Sequence, residues 1–439
     1  MISSNTIITK ANAFIAGTPT DLEVTQLSVI DQSLTNSKLV VQTYADLPSI
    51  VDNKGRLVFV FDLGQYFYSN GLEWTDDYTI FEGAAYGWGS NGEGRLGDNT
   101  ITSTSSPVTV VGGITNWKQI SAGTSHSLGV TSIGIAYAWG ANDSRQLGDN
   151  TATSKRSPVT VFGGIMNWIQ VSAGGSHSLG VTIAGIAYAW GSNSSGQLGD
   201  DTTSSRSSPV TVIGGITNWS QVSGGSTHSL GVTTTGIAYA WGAGGSGRLG
   251  DNTATNKSSP VTVVGGITNW SQLSAGGTHS LGVTSTGIAY AWGANSSGQL
   301  GNGTLNRSSP VTVLGGITNW SQLSAGTSHS LGVTSTGIAY AWGIGNPGQL
   351  GNNSTANRSS PVTVVGGITN WSQLSGGGLH SLGLISTGIA YAWGSNVNGQ
   401  LGDDTTTNRS SPVTIIGGIT NWSQVSAGGT HSLGVNLGA

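Results

Sequence analysis

Seven histidines, His126, His177, His228, His279, His329, His380 and His431, are the first residues in this chain whose type and spacing could do chemistry. Each opens the phrase HSLG, and successive copies lie 51 residues apart with a single step of 50. Imidazole is a common metal ligand and a common general base, so a sevenfold set of them invites either reading. Both readings need companions: zinc takes three or four ligands, and a histidine base is usually oriented by a carboxylate. No unit places Asp or Glu near its histidine, and the chain contains no cysteine. We therefore expect no metal centre, no catalytic residue and no cofactor. The histidines read as packing groups that bond backbone between neighbouring strands or repeat units.

The acidic residues follow the same period. Asp98, Asp149, Asp200, Asp251 and Asp403 each follow the dipeptide Leu-Gly, and Asn302 and Asn352 hold that place in two units. An amide cannot replace a general acid, but it can replace a carboxylate that caps turn amides, so these are read as turn residues. The cations are more suggestive. Lys155, Arg206, Lys257, Arg307, Arg358 and Arg409 each stand three residues before a proline, and Thr104 holds that place in the first unit. On a loop, such a ring could meet an acidic partner, a sugar-phosphate or a sulfated glycan, with a solubilising rim as the plainer alternative. These six residues are the candidate interaction face. The preceding loop is also where length varies: Trp to Pro is 19 residues in six units but 18 between Trp292 and Pro310. Variation confined to one loop marks a surface feature.

These residues need a scaffold, and composition bounds it. Glycine accounts for 72 of 439 residues and only 34 side chains are charged, yet there are 15 tryptophans, so neither a collagen-like nor a disordered chain fits. The net charge of −4 predicts no general affinity for nucleic acid. The longest apolar runs, such as Leu57 to Phe61, are too short for a membrane span, and the first residues lack a basic leader followed by an apolar block. We expect a soluble protein. Absence of cysteine fits either redox compartment.

The histidine period is shared by AYAWG (AYGWG in the first copy) and by a phrase that is mostly TNWSQ, giving seven units of about 51 residues with two tryptophans each. In the unit of His279, residues 271–275, 279–284 and 288–292 read as a three-strand meander, and PVTV at 310–313 as a fourth, outer strand where proline is tolerated. Four strands in one such unit make a propeller blade. The repeat region starts with a third-strand phrase at Ala84 and finishes with a second-strand phrase at Val435. Its two ends are complementary parts of one blade, which predicts closure of a ring by pairing of the first and last strands rather than an open solenoid.

The order G-x-x-H-S-L, then A-Y-A-W-G-x-N-x-x-G-Q-L-G, then S-P-V resembles the regulator of chromosome condensation repeat, over residues 84–439 and in all seven units. The resemblance implies an all-β, seven-bladed β-propeller of four-stranded blades. Exchange-factor members of that family act on a small GTPase. No blade here carries an inserted wedge, and residues 1–83 hold four basic against ten acidic groups, so exchange activity is not expected. Residues 1–83 lack the repeat and divide into an attachment arm, 1–37, with a short helix around 21–33, and a small β-hairpin module, 38–83. The module, with strands at 39–42, 56–62, 65–69 and 72–75, turns at 53–55 and 70–71, and Trp74 in its core, resembles β-modules of bacteriophage tail-fibre and other virion proteins.

Together these readings give a non-enzymatic interaction protein. In the leading form it is a virion component, located on the particle, whose residues 1–83 dock on other virion proteins and whose propeller contacts host-surface glycan or protein. In the alternative it is a soluble inhibitor or regulator, cytoplasmic or extracellular, that binds a partner protein through one propeller face.

Overall fold

The computed structural model describes residues 83–437 and, ahead of them, four strands at Leu39–Val41, Leu57–Val60, Gln65–Ser69 and Trp74–Thr75. The chain divides into two units, 1–80 and 81–439. In the first unit the four strands form one sheet in chain order. Leu39–Val41 runs parallel to Leu57–Val60, while the later pairs are antiparallel. Parallel neighbours need a crossover rather than a tight turn, so this sheet is not a plain run of hairpins. The expected arm, the helix around 21–33 and the turns at 53–55 and 70–71 lie outside the described residues.

The second unit is the expected all-β propeller of seven four-stranded sheets. One blade serves for all. Trp270–Ala275, His279–Thr284, Ala289–Gly293 and Arg307–Thr312 pair antiparallel in that order. The first three strands lie within a residue of where the period-two pattern puts them. The outer strand starts three residues before its proline, at Arg307, because Pro310 lacks an N–H but sits on the sheet's open edge, where none is needed. A register shift between Trp270 and Gln272 puts them on opposite faces of the sheet, Trp270 against the preceding blade and Gln272 toward the next.

The seventh blade is built from both ends of the ring. Trp422–Ala427 and His431–Asn436 supply its first two strands, and Ala85–Gly89 and Thr104–Thr109 its last two. His431 lies opposite Gly89 and Val435 opposite Ala85, the register that the complementary ends predict. Asn436 N–H donates to the Ala84 carbonyl at 3.0 Å, and Ala84 N–H donates to the Asn436 side-chain oxygen at 3.0 Å.

The core is not inside the blades but between them. Each sheet buries both faces, and seven apolar clusters each join the second and third strands of one blade to the two tryptophans of the next. Leu230, Val232, Ala238 and Ala240, for example, pack on Trp270 and Trp292 of the following blade. Within a blade the two indoles sit 5.8 Å apart, and Trp270 meets Tyr290 edge-on at 5.4 Å, a geometry that adds to area burial. Each fully buried indole removes about 200 Å² from water, on the order of 5 kcal/mol gross. The ring of Trp270 lies flat on Gly282, where an added Cβ would sit 2.5 Å from the indole. Glycine is thus required in HSLG by a close approach, not by its backbone angles.

Gly282→Ala is therefore expected to destabilise the propeller by about 1–3 kcal/mol, the usual cost of overpacking. Urea unfolding followed by tryptophan fluorescence measures this. A midpoint equal to that of the parent chain would remove the close-approach argument.

Candidate interaction surface

All seven histidines are fully buried. His126 Nε2 lies 2.9 Å from Ser178 Oγ in the next blade, and the pattern repeats around the ring until His431 meets Ser127 at 3.0 Å. The expected inter-blade role is present, but the partner is a serine hydroxyl rather than backbone. Each of these serines donates its own proton to a carbonyl, as Ser178 does to Gln146 at 2.7 Å. Its oxygen must then accept from the imidazole, so Nε2 carries the proton and Nδ1 is bare. That Nδ1 is buried without a partner in every unit. Burial, with His177 and Arg95 adding to it, pushes His126 down to about 3; burial alone holds His177 and His329 at about 4. His279 and His380 lie at about 3, and His228 and His431 fall well below the ordinary value, in each case chiefly through burial. Neutral, closed in and lacking a carboxylate, these groups neither bind a metal nor move protons for a substrate. Among the described residues no cluster of three His, Cys, Asp or Glu is placed to hold a metal ion.

The axis is equally occupied. The innermost strands present Gln119, Gln170, Gln221, Gln272, Gln322, Gln373 and Gln424 to a central channel. Each side-chain oxygen accepts the N–H of the next blade's inner strand at 2.8–3.0 Å, as Gln119 does from Val171. Six of the seven also donate Nε2 to the carbonyl of that same residue. The serine two residues on accepts a second N–H, Ser121 from Ala173 at 3.0 Å, again in all seven units. Sequence reasoning passed over this Gln and Ser although both recur in every unit; the signal was a polar pair held constant inside a strand that otherwise buries Trp and Leu or Val.

The Asp/Asn positions are turn residues. Asp98 accepts from Asn91 Nδ2 at 2.9 Å and from the Thr100 backbone at 3.0 Å. Burial raises Asp200 and Asp403, but hydrogen bonds from Thr, Arg and Asn outweigh it and leave both below the ordinary carboxylate value.

The six cations stand at the first residue of each outer strand rather than on the loop. Gly140 pairs with both His126 and Lys155, so each cation and each pre-histidine turn share one face of the ring. Four of them reach the turn carboxylate six residues earlier: Lys155 to Asp149 at 3.5 Å, Arg206 to Asp200 at 2.8 Å, Lys257 to Asp251 at 3.5 Å and Arg409 to Asp403 at 3.0 Å. Arg307 and Arg358 stand opposite Asn302 and Asn352 and make no ion pair among the described residues.

Residues 78–318, more than half of the chain, match the RCC1-like domain, and 336–384 and 387–435 match the regulator of chromosome condensation (RCC1) repeat, with an overlapping match at 320–349. The chain belongs to the RCC1 family. It is similar to human E3 ubiquitin-protein ligase HERC2, 32% identical over 232 residues that make up 51% of this chain and 5% of that protein. It is also similar to the ultraviolet-B receptor UVR8 of Arabidopsis thaliana, 34% identical over 240 residues, 53% of this chain and 54% of UVR8. The matched part thus spans about half of UVR8 and a small fraction of HERC2. Among solved structures, Prp20p of Saccharomyces cerevisiae superposes with a TM-score of 0.74 at 19% identity, over 82% of this chain and 93% of its own. Human WBSCR16 gives 0.72 at 22%, over 81% and 98%. At such identity the likeness is one of fold. The Prp20p structure was described with that protein's binding to Gsp1p and histones. None of these RCC1 relatives is a virion protein, so the resemblance of 38–83 to phage modules gains no support from them. No helix among the described residues is long and apolar enough to cross a membrane.

The RCC1 histidine ring makes stability depend on pH with a definite sign. An unfolded imidazole titrates near 6.5 and the folded ones near 3–4 or lower, so below about pH 6.5 the unfolded chain binds more protons and stability falls with pH. Each histidine contributes a slope of about 1.4 kcal/mol per pH unit, and seven together about 10. Against a usual stability of about 5–15 kcal/mol, unfolding is expected well above the folded pKa values. Acid titration followed by tryptophan fluorescence should show a plateau above pH 7 and a steep collapse between pH 6 and 4. A chain still folded at pH 4 would show that the imidazoles titrate normally.

Proposed function

We propose that the propeller is a non-catalytic module that binds a partner protein through the face bearing the pre-histidine turns and the outer-strand cations. The observation that carries this reading is the division of labour in the ring. The histidines, the axial glutamines and serines, and six of the seven indole N–H groups on the AYAWG and AYGWG strands, whose hydrogen bonds run to loop carbonyls, are spent on joining blades. The rim of loops between third and fourth strands keeps chemistry of its own, and there charge and length differ from blade to blade. A rigid scaffold carrying variable loops is suited to display.

The relatives support this reading as a matter of kind. Prp20p is reported with protein partners, UVR8 is a receptor, and HERC2 is a ligase of which the matched part is a small share. They favour the soluble regulator that binds through one face over the virion component. The partner class we infer is a protein and not nucleic acid, given a net charge of −4.

Photo-crosslinking by face tests this. A photoreactive amino acid is placed at Thr255 or Thr304 on the loop face, or at Thr286 in the hairpin at the opposite end of a blade, and the full chain is incubated with extract of its source cells. Discrete protein adducts from the loop-face positions, absent from position 286, are expected. Adducts confined to position 286, or none from either face, would overturn the proposal.

A further inference from the structure

The sevenfold repeat is broken in one sector, and the breaks coincide. Between residues 258 and 402 the only charged side chains are Arg307 and Arg358. They are the two cations whose turn carboxylate is an asparagine, and the guanidinium Nε of Arg307 and the side-chain oxygen of Asn352 are buried without a hydrogen-bond partner. The loop leading to Arg307 is the one that is a residue short. In the other six units the residue after the Asp/Asn donates its N–H at 2.8–2.9 Å to the outer strand of the next blade, as Asn252 does to the Ser308 carbonyl. Here Gly303, at φ +109°, reaches the Ser359 carbonyl only at 3.4 Å. Five of those six units add a serine hydroxyl bonded to that residue's side chain, which glycine cannot offer. The same loop carries Leu305, 66% exposed and the most exposed large apolar residue among those described. Because Gly303 abuts Ser359, this loosely held loop lies beside Arg358 as well as leading into Arg307.

An exposed leucine flanked by two guanidinium groups without counterions, in a sector lacking any carboxylate, is unlike the rest of the rim, where the cation that opens each outer strand is paired with its turn carboxylate. Guanidinium is weakly hydrated and pairs with carboxylate through two parallel bonds, so two arginines left without partners favour a ligand that brings its own acids. We propose that Arg307, Leu305 and Arg358 form a docking site for an acidic peptide segment of a partner protein. Its carboxylates pair with the two arginines and an apolar side chain between them covers Leu305. This rests on the partner-binding reading above and says where on the face the partner sits and what chemistry it presents. Asn302 and Asn352 are what keep the site open, since an aspartate at either place would occupy the neighbouring arginine as it does in four other blades.

The test is fluorescence anisotropy of a labelled peptide, Ser-Glu-Glu-Leu-Glu-Glu-Ser, titrated with the full-length protein at low salt. The parent chain should bind it, and Asn302→Asp combined with Asn352→Asp should weaken binding by about tenfold or more while leaving the urea midpoint unchanged or raised. Should that variant fail to fold, Arg307→Gln with Arg358→Gln must show the same loss. Lys118→Ala, an exposed cation on an inner strand, should leave binding unchanged. No binding by the parent chain up to about 1 mM, equal binding by the paired-aspartate variant, or an equal loss in Lys118→Ala each overturns the site. Crosslinks from Thr255 that persist while the peptide fails would sink this site and leave partner binding standing.

Discussion

A propeller has to solve a hydrogen-bonding problem at its centre before anything else can hold. Every blade presents an inner strand whose outward N–H and C=O groups have no further strand to pair with, and seven such edges converge on one axis. Left bare they would cost desolvation or template aggregation. Here the side chains of the preceding blade serve as the missing strand. A glutamine amide matches one residue's N–H and, in six blades, its C=O, and a serine hydroxyl takes the next N–H. Because each blade caps its neighbour, the arrangement is satisfied only when the seventh returns to the first, as Gln424 does to Ile120. Closure is a condition of hydrogen-bond balance as well as of packing.

The layers farther out repeat this logic. The His–Ser bond, the carbonyl that accepts from both Ser178 and Trp190, and the indole layer each bridge two blades. A polar group used for such a bridge has no capacity left for a substrate, and the seven histidines are used in this way. It also explains where variation is permitted. A change in the bridging layers must be made seven times to stay compatible, whereas a change in one outer loop affects one blade and its neighbour.

Much of the ring could be read from the chain itself because its strongest signals are periodic. HSLG and AYAWG recur at a spacing that fits one four-stranded blade, and the split between Ala84 and Val435 selects a closed circle over an open solenoid. The inter-blade role of the histidines also followed, since seven copies of one residue imply seven copies of one contact, although the hydroxyl partner was misjudged as backbone. What escaped reading were relations that depend on register. The bulge beside each inner tryptophan decides that Gln272 faces the axis, and no spacing argument supplies a bulge. With proline read as the strand's first residue the cations fall on the loop; the strand begins three residues sooner, and that shift brings four of the six within reach of a carboxylate. The Asp-to-Asn exchanges were visible, but only the ion pairs gave them meaning.

The composite seventh blade also bears on how the molecule comes into being. Its pairing partners, Ala85 and Val435, lie at opposite ends of the ring-forming segment, so a ribosome exports the first long before it makes the second. Six blades can stack as they emerge, yet the nascent chain must carry two unsealed flanks, at Ala85–Gly89 and at whichever blade was finished last, for the duration of synthesis. With repeats this alike, each flank is a fair match for the other flank of a neighbouring polysome product, and intermolecular joining competes with self-sealing until the C-terminal strands are free.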